Sequence, residues 1–185
     1  MNTMNIFTGL FLVAFAAAAA APPAQAFPPL GVPATIDPGL LNSNSATPNI
    51  VFFAFADSAH TDVLILDEFD GSPIFNNQTS SRGDTVDLGV LSGPQSFGLD
   101  DLNTGRSFRV NQPDSDGNYH AIYATCNSAI SCSASYEVFS VGALDARVLT
   151  FIGGLAAGTN VVFVGWEDLI GGDWDYNDLI FGLTD

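Results

Sequence analysis

The sequence predicts an all-β chain, an antiparallel β-sandwich of jelly-roll-like form in a single domain, and three observations point there. Short β-branched and aromatic runs such as Ile50-Val-Phe-Phe-Ala-Phe alternate with clusters of Gly, Asn, Asp and Ser, a spacing that suits consecutive strands and turns better than βαβ units. The acids divide into 17 Asp and 3 Glu, and Asp serves turns and caps whereas Glu favours helices. No repeat of fixed period interrupts the body of the chain, and its length suffices for one such core.

The chain opens on an apolar run containing Ile6, Phe7, Leu10, Phe11, Leu12, Val13, Phe15 and the alanines from Ala16 to Ala21. Pro22-Pro23 and the small-x-small triplet Ala24-Gln25-Ala26 follow. That order predicts a secretory signal over residues 1–26, with Phe27 as the mature start and only the terminal amine as its positive end. The run is short for a membrane span of roughly 20 residues and is broken by prolines. No membrane span is therefore expected after cleavage, and the expected location is secreted, periplasmic or at the cell surface.

Residues 27–49, rich in Pro, Ala, Asn and Ser, read as a loosely packed lead-in. The β-sandwich domain is expected over residues 50–185. Its strands are predicted at Ile50 to Ala56, Asp62 to Leu66, Ser107 to Val110, Asn118 to Thr125, Tyr136 to Val141, Arg147 to Ile152, Thr159 to Gly165 and Leu179 to Leu183. Segments apolar at every position, such as Ile50 to Phe55 and Val161-Val-Phe-Val, suit central strands covered on both faces. Ala143 to Leu149 could form a turn of helix instead.

Twenty acids oppose four arginines, Arg82, Arg106, Arg109 and Arg147, with no lysine, for a formal charge of -16. Nucleic-acid phosphates and anionic membrane surfaces would repel such a chain, so neither is an expected partner. Disorder requires low hydrophobicity along with charge, and here 47% of residues are hydrophobic. Cys126 and Cys132 lie on either side of five residues, and in an exported chain they are expected to form a disulfide. The CxxC spacing of redox centres is absent, and a zinc site would want soft ligands beyond these and His60 and His120.

Chemistry concentrates near the C-terminus. Glu167, Asp168, Asp173, Asp175 and Asp178 place five carboxylates within twelve residues, with no cation beside them. A pair of like charges at ~6 Å repels by roughly 0.7 kcal/mol even at the dielectric of water, and by more near an apolar surface. The cluster needs a counter-charge, and hard oxygen ligands point to Ca²⁺. Asp173, Asp175 and Asn177 alternate as in the first half of a calcium loop, although an EF-hand is excluded because its sixth and twelfth positions fall on Asp178 and Thr184. The expected metal ligands are thus Glu167, Asp168, Asp173, Asp175, Asn177 and Asp178; the bland alternative is that these residues simply cap turns. Asp114-Ser-Asp-Gly-Asn is a weaker candidate loop, better explained as a short turn, and Asp67 to Gly71 reads as a plain turn. Asp57 and Asp62 would join the acidic cluster if their strands were its neighbours.

The stretches Phe55-Ala-Asp-Ser-Ala-His-Thr-Asp-Val-Leu64, Ile74-Phe-Asn-Asn77, Asp116-Gly-Asn-Tyr-His120 and, above all, Glu167-Asp-Leu with Asp173-Trp-Asp-Tyr-Asn-Asp178 resemble the bacterial secreted domain of unknown function 4114. The resemblance spans most of residues 50 to 183. It implies an extracellular β-rich module with a calcium-binding acidic loop and no established catalysis, the acidic signature falling on the six residues already named.

Among enzyme signatures, the Gly-x-Ser-x-Gly elbow, the His-Glu-x-x-His helix, the P-loop and the dinucleotide fingerprint are all missing from the sequence. No catalytic residue is assigned and the protein is not expected to be an enzyme. The expected function is a secreted, calcium-stabilised sandwich with a structural or adhesive role at the cell exterior. An extracellular protein or carbohydrate is the partner that fits. As a carbohydrate-binding module it would use exposed Trp166, Trp174 or Tyr176 to stack on sugars, and an extracellular glycoside hydrolase is the third reading.

Overall fold

The computed structural model describes residues 28, 31–43, 47–67, 71–139 and 141–184. The expected signal segment and the middle of the turn from Asp67 to Gly71 lie outside them, as does part of the lead-in. The strands are β1 (Leu41–Ser43), β2 (Ile50–Phe55), β3 (Asp62–Leu66), β4 (Pro73–Asn76), β5 (Thr85–Asp87), β6 (Gly93–Gln95) and β7 (Phe97–Asp101). They continue as β8 (Arg106–Arg109), β9 (Ala121–Cys126), β10 (Val161–Trp166) and β11 (Leu179–Thr184), with helices α1 (Ala129–Tyr136) and α2 (Ala146–Gly154) between β9 and β10.

Two antiparallel sheets form a sandwich-like body. One has the order β5-β2-β11-β10-β9, the other β4-β3-β7-β8, and a small β1-β6 pair stands apart from both. Alternation along each strand decides what it buries. Val51 and Phe53 of β2, Val164 and Trp166 of β10, and Leu179 and Phe181 of β11 join Leu64, Leu66, Phe97 and Leu99 in the core between the sheets. The residues between them, Phe52, Ala54, Phe163 and Ile180, face the other way and pack with Tyr136, Phe139, Val148 and Ile152 of the helical segment. The larger sheet is therefore covered on both faces, which is why β2 and β10 are apolar at nearly every position.

The helices correct two predicted strands. At the strand expected over Tyr136 to Val141, Tyr136 ends α1 and Glu137–Phe139 makes a 3-10 turn. Arg147 to Ile152 is helical throughout, with Asp145 as its cap accepting from the Arg147 amide at 2.8 Å. Val148 and Ile152, four residues apart, both face the core, a helical spacing that outweighs their β-branched character. Ser128 caps α1 in a reciprocal arrangement with Ser131, and the Cys126–Cys132 disulfide ties the end of β9 to α1. Strands β1, β4, β5, β6 and β7 had no counterpart among the predicted strands. They are three to five residues long, and four of them carry Pro, Gly or Asp, which weakens the local strand signal. Among the described residues, no helix is long and apolar enough to cross a membrane.

Candidate metal centre

The acidic segment is the connection between β10 and β11, at one end of the sandwich. β10 ends on buried Trp166, so Glu167 and Asp168 enter the loop already buried, while Asp173 is exposed and Asp175, Asn177 and Asp178 are half-buried. The loop folds back on itself through its own backbone. The Asp168 amide donates to Asp178 Oδ2 at 2.8 Å, and the Asp178 amide donates to the Trp166 carbonyl at 3.2 Å. Two sets of carboxylates converge: Glu167, Asp168 and Asp178, and Glu167, Asp173 and Asp175, the oxygens of each set lying within 4.8 Å of one another. Glu167 belongs to both. Asn177 lies alongside, its amide nitrogen donating to Asp175 Oδ2 at 2.5 Å.

Aromatic residues hold this loop from below. Trp174 and Tyr176 adopt left-handed backbone conformations, with φ of 56° and 58°, at roughly 1–3 kcal/mol each for residues with a Cβ. Both rings are buried, which offsets that cost and leaves Asp173, Asp175 and Asn177 between and beside the anchors. The Trp174 amide donates to Glu167 Oε2 at 2.8 Å. Gly172 makes room for the same carboxylate, since a Cβ there would stand 2.0 Å from Glu167 Oε1. Beneath Trp174 lies His120, itself stacked on Phe108 with ring centroids 3.8 Å apart. His120 contacts the Glu167 carbonyl at 2.8 Å and Asp114 Oδ2 at 3.1 Å. A carbonyl and a carboxylate oxygen accept, so each ring nitrogen of His120 faces an acceptor.

The opposing sheet supplies the other wall. Asp62 and Asp101 lie opposite each other in the β3-β7 ladder, on the same side of their strands as Leu64, Leu66 and Leu99, and both are fully buried. The β2-β3 connection crosses between the sheets here. Ser58 Oγ donates to Asp168 Oδ2 at 2.5 Å, and His60 Nδ1 stands 3.0 Å from Asp101 Oδ2 and 3.6 Å from Asp168 Oδ2. Asn77 donates to Asp62 Oδ2 at 3.1 Å, whereas Asp62 Oδ1 meets no hydrogen-bond donor.

The electrostatics follow from this crowding. Burial pushes Glu167 up to about 8, with the charges of Asp178 and Asp173 adding to it. Burial likewise pushes Asp62 up to about 7, the Ser58 hydroxyl opposing and Asp168, Asp178 and Asp101 reinforcing the shift. Asp178 is raised to about 7 by burial and by Asp168, Asp175 and Asp173, against the Asp168 amide. Asp101 moves the other way: burial would raise it, but donors from Thr104, Asn103 and His60 hold it below the usual carboxylate range. Burial alone would lower His60, yet Asp101, Asp168 and Asp62 raise it on balance. Ion pairs with arginine among the described residues go to Asp67, Asp100 and Asp145, away from this centre. An all-oxygen donor set with surplus negative charge and an unpaired buried oxygen fits a hard divalent cation.

Asp114 is a turn residue, its Oδ1 accepting from the amides of Asp116 and Asn118 at 2.8 and 2.9 Å. The Asp57 amide donates to the Asn177 carbonyl at 3.2 Å, which places the β2-β3 connection against the acidic loop. Trp166, Trp174 and Tyr176, the rings assigned to sugar stacking, are all buried and present no platform. Asp101 and Ser58 carry no local signal in the sequence; only the pairing of β3 with β7, and the path of the β2-β3 connection, bring them to the centre. Comparison of the chain with family models and with curated proteins returned no match.

Proposed function

We propose that this protein is a secreted, calcium-binding β-sandwich module with a structural or adhesive role at the bacterial cell exterior. The observation that carries the reading is the convergence of Glu167 with Asp173 and Asp175, oxygens within 4.8 Å of one another, in a loop whose carboxylates make no ion pair with arginine among the described residues. Ca²⁺ suits it because the donors are carboxylates on an irregular loop, which accommodates the 6–8 oxygen ligands at ~2.3–2.6 Å that this ion takes. The ion would stabilise the loop that joins the two central strands of the larger sheet, and hence the surface that a partner meets. The resemblance to the domain of unknown function 4114 agrees with this role.

The test is a thermal melt of the wild type with Ca²⁺ and with chelator, beside an Asp173→Ala, Asp175→Ala double variant. An ion present at 100 times its dissociation constant adds about 2.7 kcal/mol. The double variant should lose most of that gain. A wild-type melt indifferent to Ca²⁺ sinks the proposal.

A further inference from the structure

We propose that the end of the sandwich holds a second divalent cation, on Glu167, Asp168 and Asp178 from the β10-β11 loop together with Asp62 from the opposing sheet. The inference extends the reading of the β10-β11 loop as a calcium site and rests on it. Its first support is geometric: the inner set, Glu167, Asp168 and Asp178, shares only Glu167 with the outer set formed by Asp173 and Asp175. A carboxylate has two oxygens, so Glu167 can serve one ion with each.

The second support lies outside the loop. Asp62 is fully buried, sits on the core-facing side of β3, and leaves Oδ1 without a hydrogen-bond partner. The charges of Asp168, Asp178 and Asp101 act against its ionised form. Asp101, its partner in the ladder, is supplied with donors from Thr104, Asn103 and His60. Asp62 has the Asn77 amide on Oδ2 and no hydrogen bond on Oδ1. A buried carboxylate oxygen without a donor is unfavourable unless a cation meets it. His60, the one imidazole at this wall, lies between Asp101 and Asp168 and can neutralise one charge there. It leaves Asp62, Asp178 and Glu167 to be balanced.

Oxygen donors from both a loop and a strand favour Ca²⁺ over Mg²⁺, which demands a closer and more regular octahedron. The consequence is mechanical. An ion between Asp62 and the pair Asp168 and Asp178 joins β3 of the four-stranded sheet to the β10-β11 loop of the five-stranded sheet, beside the polar link that His60 makes between Asp101 and Asp168. The inner ion would then act as an inter-sheet clamp and the outer ion as a loop stabiliser.

Calorimetric titration of the full, chelator-stripped chain with Ca²⁺, with circular dichroism as the fold check, separates these roles. Two ions per chain are expected in the wild type, one in Asp62→Asn and one in Asp173→Ala, Asp175→Ala. A single wild-type ion that disappears in the Asp173, Asp175 variant overturns the inner site and leaves the loop reading standing. No ion at all overturns both. Two ions of undiminished affinity in Asp62→Asn remove Asp62 from the ligand set. Should Asp62→Asn fail to fold, Asp178→Asn takes its place, with one retained ion expected and two overturning the inner site.

Discussion

Asp62 and Asp101 stand directly opposite each other in the β3-β7 ladder, both fully buried, and their surroundings are unequal. Like charges facing across a ladder are destabilising. The Asp101 carboxylate is held ionised by the Thr104 hydroxyl, the amides of Asn103 and Thr104, and His60. Asp62 has Asn77 and a bare oxygen. The pair is relieved when Asp62 is neutralised, by a proton or, on the proposed reading, by a metal ion, so the stability of the end of the sandwich should depend on pH and, if that reading holds, on calcium.

Without metal, the protein should be more stable at pH 5 than at pH 8.5. Asp62 and Asp178 are raised to about 7 and Glu167 to about 8, so between pH ~4 and pH ~8 the native state holds protons that the unfolded chain has released. Stability from these groups is complete below the unfolded carboxylate pKa and is lost as pH rises through the folded values. His60, also raised, contributes in the same direction. The loss should amount to roughly a few kcal/mol in urea denaturation with chelator present, and Ca²⁺ at pH 8.5 should restore it. Equal midpoints at the two pH values would refute this account of the buried acids.

Gly172→Ala should weaken calcium binding without unfolding the protein. The new Cβ falls 2.0 Å from Glu167 Oε1, and because that oxygen ends a flexible side chain, the carboxylate moves rather than the backbone. Tenfold or more in affinity is expected, about 1.4 kcal/mol, with a change of about 1 kcal/mol or less in the chelated protein. An unchanged titration curve would show that Glu167 does not ligate.

Tyr176→Phe should loosen the lead-in segment. The Tyr176 hydroxyl accepts from the Ala34 amide at 2.5 Å and donates to the Tyr119 carbonyl at 3.2 Å. Removing it leaves a buried amide without an acceptor, at about 1–3 kcal/mol. Hydrogen exchange at Ala34 should accelerate well before global unfolding. Retained protection would show that the Ala34–Tyr119 bridge suffices.

Reducing the Cys126–Cys132 disulfide should destabilise the domain by roughly 2 kcal/mol, as expected for closing a short loop, and should do so locally at α1. Denaturation with and without reductant measures the difference, and a calcium titration in parallel should be unaffected because the bond lies at the far end of β9 from Ala121, which pairs with Trp166. A reductant-dependent loss of calcium affinity would contradict that separation.

Much of this architecture was legible in the residues alone. The runs at Ile50 and Val161 announced strands covered on both faces because an apolar residue at every position leaves no face for water, and β2 and β10 are those strands. The acidic loop was equally legible, since Glu167, Asp168, Asp173, Asp175 and Asp178 are neighbours in sequence and their mutual repulsion needs no fold to be recognised. The strand expected at Arg147 to Ile152 has the composition of a strand in Val148, Thr150 and Ile152, but burial of Val148 and Ile152 against the sheet, with the Asp145 cap, selects the helix that the residues from Ala143 to Leu149 leave open. Asp62 and Asp101 belong to a different category. They are 39 positions apart in sequence, are carried by strands that pair at long range, and reach the loop across the sandwich. No local pattern encodes that approach, because it arises from two sheets meeting face to face: the chemistry of the loop is written in consecutive residues, and the wall opposite it exists only once β3 and β7 have packed against β10 and β11.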